Sequence, residues 1–520
     1  MDASAYAALP RVVLDNGSGS VKFSLATSKK PPVVIPNCIG QPKRKFLSQS
    51  FSSGSGHGGS DHSSGHGDHS ESISEACYSL WEYFCLRPCV NSVLCEPNRQ
   101  RNIWNKIMGN VHMMANGVPT NHLGILPATS AICITEPNMC PQPCRQTMAE
   151  VIFEDFGFSL AAIISSQLAS NCYYASRRSP TLGRGTPGEI SLNSYPNPEN
   201  VNMMYESDAS CCLVVDCGFG SSHCVPFVNN KPIQRAALRS SLAGWHLNAY
   251  LKNIAAMRTV NLEFNELLVQ HMKEESCYVS RDFDLELKAA KNLKRINGHM
   301  YLNHEYVLPV YTSRGKTQLT KHFNTHRTST PPLLTDSNRT VVAKLANGEI
   351  TTLEELEPLQ PHDKVEEGTP VVEMFDHAVV ESATKDDKKQ QHQSVNLFAE
   401  RFTVPELLFS PQDLQVKECG IVELAYRSLA LAPQCMQRQL AKNILLTGGS
   451  TMFKGFVERF YSEIRKLLPC EWDIQVYYTE DPSLTAFYGA KRFAREDSTF
   501  LSTAITRNYY LEHGGVFSNR

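Results

Sequence analysis

The sequence contains two copies of one short pattern, far apart in the chain. VVLDNGSGSVK covers residues 12–22, and LVVDCGFGSSH covers residues 213–223. Each copy begins with an apolar run typical of a buried strand, continues as Asp-x-Gly-x-Gly and ends in small polar residues. The glycines allow a tight turn whose backbone N–H groups can face an anion. Two such turns in one long chain predict two similar domains that hold a phosphate chain between them.

Length and composition fit a chain with at least two hydrophobic cores and no general attraction to polyanions. The 520 residues include 50 Lys and Arg against 52 Asp and Glu, so the formal net charge is −2. Any contact with DNA would therefore be local or made through partners. No run approaches about 18 uninterrupted apolar residues and the start lacks a leader pattern, so neither a membrane span nor a signal peptide is predicted. The 17 cysteines are expected to be reduced thiols.

Three segments interrupt an otherwise regular alternation of strand-like and helix-like patterns. Residues 43–74 contain a Gly/Ser/His tract that is predicted to be a disordered insertion. The alternative for this tract is a metal site formed by its histidines, His57, His62, His66 and His69. Residues 174–210 are rich in Pro, Ser and Asn and are predicted to be a linker. Residues 313–394 are predicted to be a partly ordered insertion, with a strand-Asn-Gly-strand pattern at 341–350.

Further motifs follow one another between these segments in a fixed order. They are ICITEPNMCPQPCRQTMAEVIFEDF, LAGWHLNAYL, MKEESCYVSRDF, ERFTVPELLFSP, CGIVEL and NILLTGGSTMFKGF. Together with the two loops they resemble actin and the actin-related proteins over most of the chain. The resemblance implies an α/β fold of the actin, Hsp70 and sugar-kinase type: a two-domain nucleotide clamp with four subdomains and, here, large insertions.

The same resemblance suggests how the chain is divided. Residues 10–173 would form the first half, with subdomains one and two, and residues 211–485 the second half, with subdomains three and four. Residues 486–520 would return to subdomain one. Shorter matches resemble the nuclear actin-related protein six branch: VVIPNC, RQRNIWNKIMG, YVLP and AERFTVPELLFSPQDL.

The resemblance assigns the first loop to the β- and γ-phosphates of a bound nucleotide. Backbone N–H groups and hydroxyls would make these contacts at Gly17, Ser18, Gly19 and Ser20. Lys22 lies where the family lysine meets the phosphates as a point charge. Asp15 lies where a carboxylate organises the water shell of a metal ion, so it is the predicted metal contact, through water. The alternative is that these residues only shape a turn.

The second loop and the later motifs supply the rest of the implied nucleotide site. The second loop contributes Asp216, Gly218, Gly220, Ser221 and His223. The last of these matches the histidine that helps to position water. Lys273 and Glu274 match the pair near the ribose and adenine. The remaining positions would line the cleft: Gly244, Gly448, Gly449, Ser450 and Met452.

Three positions depart from the actin pattern. Phe219 replaces a second acidic residue near the metal, and a ring cannot accept hydrogen bonds from metal-bound water. Counting from Phe153 without a gap puts Ser166 at the position of the water-orienting glutamine and Gln167 one residue late. Unless a local bulge corrects the register, Gln167 is expected to point away, turned by about 100°. Ser483 replaces a lysine that contacts adenine. These changes predict a cleft that holds ATP or ADP with weakened Mg²⁺ binding and hydrolyses it poorly.

The resemblance implies a non-catalytic subunit of a Swr-type chromatin-remodelling complex, which exchanges a variant histone. The implied partners are a remodeller motor subunit and a small zinc-finger subunit, with the nucleosome contacted indirectly. The implied location is the nucleus, with the cytoplasm as the alternative or additional location. Insertions over the filament surfaces predict that the chain does not polymerise. The alternatives are a divergent cytoskeletal actin-like ATPase and a small-molecule kinase, although no acidic catalytic base for a kinase is evident.

Overall fold

The strands and helices of this chain are taken from a computed structural model. It describes residues 6–42, 72–73, 83–108, 114–115, 118–119, 123–178, 190–196, 210–258, 266–308, 332–352, 355–356 and 394–513. All but residues 72–73 of the predicted Gly/Ser/His insertion, most of the predicted linker and much of the third insertion lie outside these residues. Within the described ranges, no helix combines the length and the apolar character that crossing a membrane requires.

The strands are numbered in chain order. They are β1 Arg11–Asn16, β2 Ser20–Leu25, β3 Val33–Pro36, β4 Ile39–Pro42, β5 Ser72–Ile73, β6 Tyr83–Leu86, β7 Cys89–Val90, β8 Val93–Leu94, β9 Met114–Ala115, β10 Val118–Pro119, β11 Ala131–Glu136, β12 Leu160–Ser165, β13 Leu192–Tyr195, β14 Cys211–Cys217, β15 Ser222–Val228, β16 Lys231–Pro232, β17 Leu238–Ser240, β18 His304–Val307, β19 Ser394–Leu397, β20 Ile444–Thr447, β21 Val476–Thr479 and β22 Ile505–Thr506.

The α-helices are numbered in the same way. They are α1 Pro97–Met108, α2 Gln142–Glu150, α3 Ser166–Arg178, α4 Gly244–Arg258, α5 Glu266–Ser276, α6 Phe283–Arg295, α7 Arg339–Asn347, α8 Glu400–Glu406, α9 Ile421–Leu431, α10 Gln434–Ala441, α11 Phe456–Leu467, α12 Thr485–Arg495, α13 Asp497–Thr503 and α14 Arg507–His513.

The first large sheet has six strands in the order β22-β12-β11-β1-β2-β3. β1, β11 and β12 are parallel neighbours, whereas β2 and β3 continue the sheet with antiparallel pairing. Alternate residues of β1 point to opposite faces. Val12 and Leu14 pack in one core with Trp104, and Val13 packs in the other core with Phe487. Both faces are covered by helices, so β1 reads as a continuous apolar run.

The second large sheet repeats this plan. Six of its strands have the order β13-β21-β20-β14-β15-β16, and β17 also pairs with β15. β14, β20 and β21 are parallel, and β14 forms an antiparallel hairpin with β15. Val214 packs in the core that contains Tyr174, and Val215 packs in the core that contains Phe456. Each sheet therefore combines a hairpin with two further parallel strands, and the α/β prediction is confirmed.

Helix α3 joins the two halves where it crosses α12. Tyr173 belongs to a core of the first sheet, and Tyr174 belongs to a core of the second. The crossing is close because α12 has no side chain at Gly489: a Cβ there would lie 1.8 Å from the carbonyl oxygen of Ala169. The two helices close one end of the space between the sheets. The rest of that space is the cleft into which the two hairpin turns project.

Two local predictions were wrong. The apolar spacing of the segment 144–170 predicts one or two helices, but the segment contains most of α2, a π-helical turn Val151–Asp155, the strand β12 and the start of α3. The pattern at 341–350 was predicted as two strands around Asn-Gly, but it forms the end of α7, and Gly348 closes this helix at φ +77°. Asn-Gly fits both structures because each needs a left-handed residue there.

Candidate functional site

The hairpin turns β1–β2 and β14–β15 border a cleft of about 1460 Å³. Nearly all of the predicted site residues line it: Asp15, Gly17, Ser18, Gly19, Ser20, Lys22, Asp216, Gly218, Ser221, His223, Gly244, Lys273, Glu274, Gly448, Gly449, Ser450 and Met452. Gly220 is the exception, because it faces another part of the chain. A Cβ at Gly220 would lie 2.7 Å from the Ser18 hydroxyl oxygen and 2.6 Å from the Ser92 nitrogen. Its role is therefore to let the two turns approach each other.

The two hairpins place different side chains at equivalent register positions. Asp15 is opposite Lys22 in the first hairpin, and Asp216 is opposite His223 in the second. In the first, the Lys22 ammonium lies 3.1 Å from Asp15 Oδ2 and both side chains are buried. The Thr135 hydroxyl donates to the other oxygen of Asp15 at 2.6 Å. Both oxygens of Asp15 therefore already have protein partners.

Gln167 reaches the cleft, so the prediction that it points away was wrong. Its Nε2 donates to Asp216 Oδ2 at 2.7 Å, and its Oε1 accepts from the backbone N–H of Asn138 at 3.0 Å. The prediction counted residues from Phe153 without a gap, whereas the chain forms a π-helical turn at Val151–Asp155 and the strand β12 before α3 begins at Ser166. Burial raises the pKa of Asp216 to about 6. The amide of Gln167 is thus held between two protein groups.

Phe219 forms part of the cleft wall, as its place in the second loop predicts. Its Cβ lies 2.9 Å from the position that a Cβ on Gly19 would take, so the two turns are in contact here. The ring supplies no oxygen where the actin pattern has a carboxylate. The replacement of the acidic residue by Phe219 therefore removes an oxygen ligand from the cleft wall beside the first hairpin turn.

Among the predicted site residues, two buried side-chain polar atoms have no hydrogen-bond partner within the described part of the chain. They are the hydroxyl oxygen of Ser18 and Nε2 of His223. Burial lowers the pKa of His223 to about 3, so its ring is neutral at pH 7. The Ser18 hydroxyl can donate a hydrogen bond to a phosphate oxygen. The other nitrogen of the neutral His223 ring bonds the backbone of Asn138, so Nε2 can accept a hydrogen bond from a water molecule beside the phosphates. This arrangement fits the phosphates of a nucleotide.

The far side of the cleft carries a buried lysine. Lys273 Nζ donates to the carbonyl oxygen of Gly244 at 3.2 Å, and burial lowers its pKa to about 8. Glu274, next in α5, accepts from Gln270 at 2.9 Å. Lys273 therefore ties α5 to the first turn of α4 while it lines the predicted ribose side.

The loop after β20 closes the cleft with backbone atoms. Gly448 has φ +94°, and a Cβ there would lie 2.4 Å from the carbonyl oxygen of Cys217. The Ser450 hydroxyl donates to the Gly218 carbonyl oxygen at 3.3 Å, so this loop is bound to the second hairpin turn. Ser483 lines the cleft, and its hydroxyl donates to Asp481 at 2.5 Å. The hydroxyl of Ser483 therefore does not bring to the cleft the positive charge that a lysine at this position would carry.

Sequence reasoning did not find two residues of the site, Thr135 and Arg87. Thr135 is the second-last residue of β11, an apolar strand that lies parallel to β1. A hydroxyl at the carboxyl end of such a strand could have indicated a site residue. Arg87 contacts the first loop from a segment that carries no motif. Only the fold brings Arg87 to the cleft.

These residues fit a nucleotide better than they fit an actin-type Mg²⁺ site. The unpartnered hydroxyl of Ser18, the close approach of the two turns and Lys22 match the phosphates. For the metal, Asp15 is already bound by Lys22 and Thr135, Asp216 is bound by Gln167, and Phe219 has no ligand atom. Among the described residues, no group of three or more His, Cys, Asp and Glu side chains has a metal-holding arrangement.

Comparison with known proteins agrees with this geometry. The sequence profile of the actin family matches residues 7–520. Actin-related protein 6 of Arabidopsis thaliana is 28% identical over 511 residues, which cover 98% of each chain. Actin-related protein 6 of Dictyostelium discoideum is 25% identical over 98% of this chain and 93% of its own length, and that of Drosophila melanogaster is 25% identical over 97% of both. This match explains the fold and the two glycine-rich hairpin turns: the chain belongs to the actin family.

Proposed function

We propose that this actin-related protein is a non-catalytic subunit of a nuclear chromatin-remodelling complex of the Swr type, which exchanges a variant histone. The observation that carries the proposal is Phe219 in the cleft wall, in contact with the first phosphate loop. An actin-type site needs oxygen ligands there for the water shell of Mg²⁺. The similarity to actin-related protein 6 supports the choice of branch.

The cleft would hold ATP or ADP as a structural ligand. Ser18 and Lys22 would contact the phosphates, His223 would help to position water, and Lys273 would lie near the ribose. When bound, Mg²⁺ would neutralise phosphate charge, but Asp15 and Asp216 would first have to give up protein partners. Gln167 already has one hydrogen bond at each end of its amide, to Asp216 and Asn138, so only one N–H and one oxygen lone pair remain for a water molecule. Slow hydrolysis follows from these engaged groups, because positioning of the attacking water supplies much of the rate.

The proposed partners are the motor subunit of the remodeller and a small zinc-finger subunit, with the nucleosome reached through them. Tagged full-length chain would be purified from nuclear and cytosolic extracts and its partners identified by mass spectrometry. We expect a motor ATPase with histone chaperones and a zinc-finger protein, mainly from the nuclear extract. Filament-binding proteins, or the chain alone in both extracts, would contradict the proposal.

The second candidate is a divergent cytoskeletal ATPase, which the position of Gln167 inside the cleft favours. Sedimentation of the purified chain in Mg-ATP distinguishes the two. The remodeller subunit stays in the supernatant and releases little phosphate, whereas a cytoskeletal protein pellets and hydrolyses ATP.

Substitution of Phe219 tests why hydrolysis is slow. Phe219→Asp supplies the missing carboxylate, so nucleotide affinity should become dependent on Mg²⁺, by about tenfold between magnesium and EDTA in titration calorimetry. Phe219→Leu is the matched control, since it removes the ring without adding an oxygen. Equal magnesium dependence in both variants would show that the ring is not what weakens the metal site.

A further inference from the structure

Arg87 connects the two halves across the mouth of the cleft. It follows β6, and its side chain is only 10% exposed. Its Nη1 donates to the carbonyl oxygens of Ser18 and Gly19 in the first phosphate loop, at 3.2 and 3.1 Å. On the other side, its Nε lies 2.8 Å from Glu266 Oε1 and its Nη2 lies 3.2 Å from Gln270 Oε1. One guanidinium therefore binds the first loop and α5 at once.

The same guanidinium also covers Phe219. Its central carbon lies 4.2 Å from the centre of the Phe219 ring, within the range of a cation–π contact. Phe219 is thus held between Arg87 and the first loop, where its Cβ meets Gly19. A carboxylate at this position would have been placed to serve a metal ion, whereas the ring serves as a platform for a cation from the opposite half.

Helix α5 belongs to the second half of the molecule. Leu268, Val269 and Met272 of this helix are buried in the core of the second sheet. Glu266 and Gln270, which bind Arg87, lie on the same helix. A movement that opens the cleft must therefore break the ion pair, the contact with Gln270 and the stacking together.

We infer that Arg87, Phe219, Glu266 and Gln270 form a clasp that keeps the two halves closed whether or not a nucleotide is bound. In a clamp whose halves are joined mainly by metal and nucleotide, removal of the ligand loosens the cleft. Here side chains of the chain itself make the connection at the phosphate end. The Arg87 clasp replaces the bridging role of the metal ion and gives the protein a constant shape on which partners can assemble.

The test is hydrogen–deuterium exchange of the nucleotide-free, full-length chain. In Arg87→Ala, exchange in the β1–β2 turn and the first turn of α5 should rise by about tenfold, which corresponds to about 1.4 kcal/mol of opening free energy. Arg101→Ala is the matched control, because Arg101 pairs with Asp155 within the first half, in an exposed pair at 3.1 Å. Unchanged exchange at both cleft segments in Arg87→Ala would overturn the inference.

Two further measurements keep the result decisive. If Arg87→Ala unfolds globally, which faster exchange throughout β11 and β12 would reveal, Glu266→Gln removes the ion pair at constant size and is expected to loosen the same two segments. In the wild type, saturating ATP should slow exchange there by less than about twofold. Slowing by tenfold or more would mean that the ligand, and not the clasp, closes the cleft. These outcomes do not depend on which partners the chain is purified with.

Discussion

Single residues differ between the two hairpins although the backbones correspond. The register position opposite the aspartate holds a lysine in the first turn and a histidine in the second. Lys22 is neutralised by Asp15, whereas His223 is only 2% exposed and carries no charge at pH 7. A nucleotide would therefore meet an ion-paired lysine on one side and a neutral imidazole on the other. The asymmetry has a measurable consequence for stability.

Replacement of His223 should alter the acid sensitivity of the fold. Burial lowers the pKa of His223 from 6.5 to about 3, so the folded ring stays neutral while the unfolded ring takes up a proton below pH 6.5. Stability is therefore lost as the pH falls. Between pH 6.5 and 5 the wild type should lose about 2 kcal/mol more than His223→Gln. Urea unfolding of the nucleotide-free chain at several pH values measures this, and parallel losses in both proteins would contradict it.

Among the elements, the crossing of α3 and α12 connects the two halves at the closed end of the cleft. It depends on a backbone-to-backbone approach that only glycine permits at position 489. Helix α7 is a second case in which one glycine decides the local structure. At Gly348 glycine is favoured by the left-handed backbone conformation and not by close packing, since nothing lies within 4 Å of a Cβ built there.

Gly489→Ala should force the two helices apart. The new Cβ would lie 1.8 Å from the oxygen and 2.4 Å from the carbon of the Ala169 carbonyl, and backbone atoms cannot rotate away. We expect a loss of about 3 kcal/mol in the free energy of unfolding. Gly449→Ala, which has open space for its Cβ, should change the stability of the nucleotide-free protein by less than about 0.5 kcal/mol. Similar losses in the two variants would argue against close packing at the crossing.

Gly348→Ala tests whether the third insertion contains a helix or a hairpin. With φ +77° and no steric contact, the alanine variant should lose about 1 kcal/mol through backbone strain alone. Gly348→Asn should lose less, because asparagine tolerates the left-handed conformation better. Circular dichroism with urea unfolding compares them. Equal stabilities of all three proteins would show that α7 does not end in this way.

At the level of the whole molecule, two similar α/β halves are joined by α3 and α12 at one end and by Arg87 at the other. The ligand cleft lies between these connections, so a nucleotide would bind to both halves at once. Such a ligand stabilises the folded state by mass action. With the clasp already in place, we expect stabilisation without a change of shape.

ATP at one hundred times its Kd should raise the free energy of unfolding by about 2.7 kcal/mol. Because the metal ligands are engaged with protein groups or absent, EDTA should reduce this stabilisation by less than about 1 kcal/mol. Denaturant unfolding with ATP alone, with Mg-ATP and with neither provides the comparison. Stabilisation that requires magnesium would show an intact metal site, and no stabilisation at millimolar ATP would refute nucleotide binding.

The sequence by itself determined the repeated hairpins, the α/β class and the family, because apolar runs and glycine turns are local features with a fixed period. It also identified Phe219 as a changed site residue. It did not predict the environment of Gln167, because a count without a gap does not follow the π-helical turn and the strand that precede α3. It also did not predict the role of Arg87, whose partners are 68 to 183 residues away in the chain. Hydrogen-bond partners, burial and the pKa of His223 arise from contacts between distant segments. Only the tertiary structure decided which side chains meet across the cleft, because no local pattern encodes the distance between two halves.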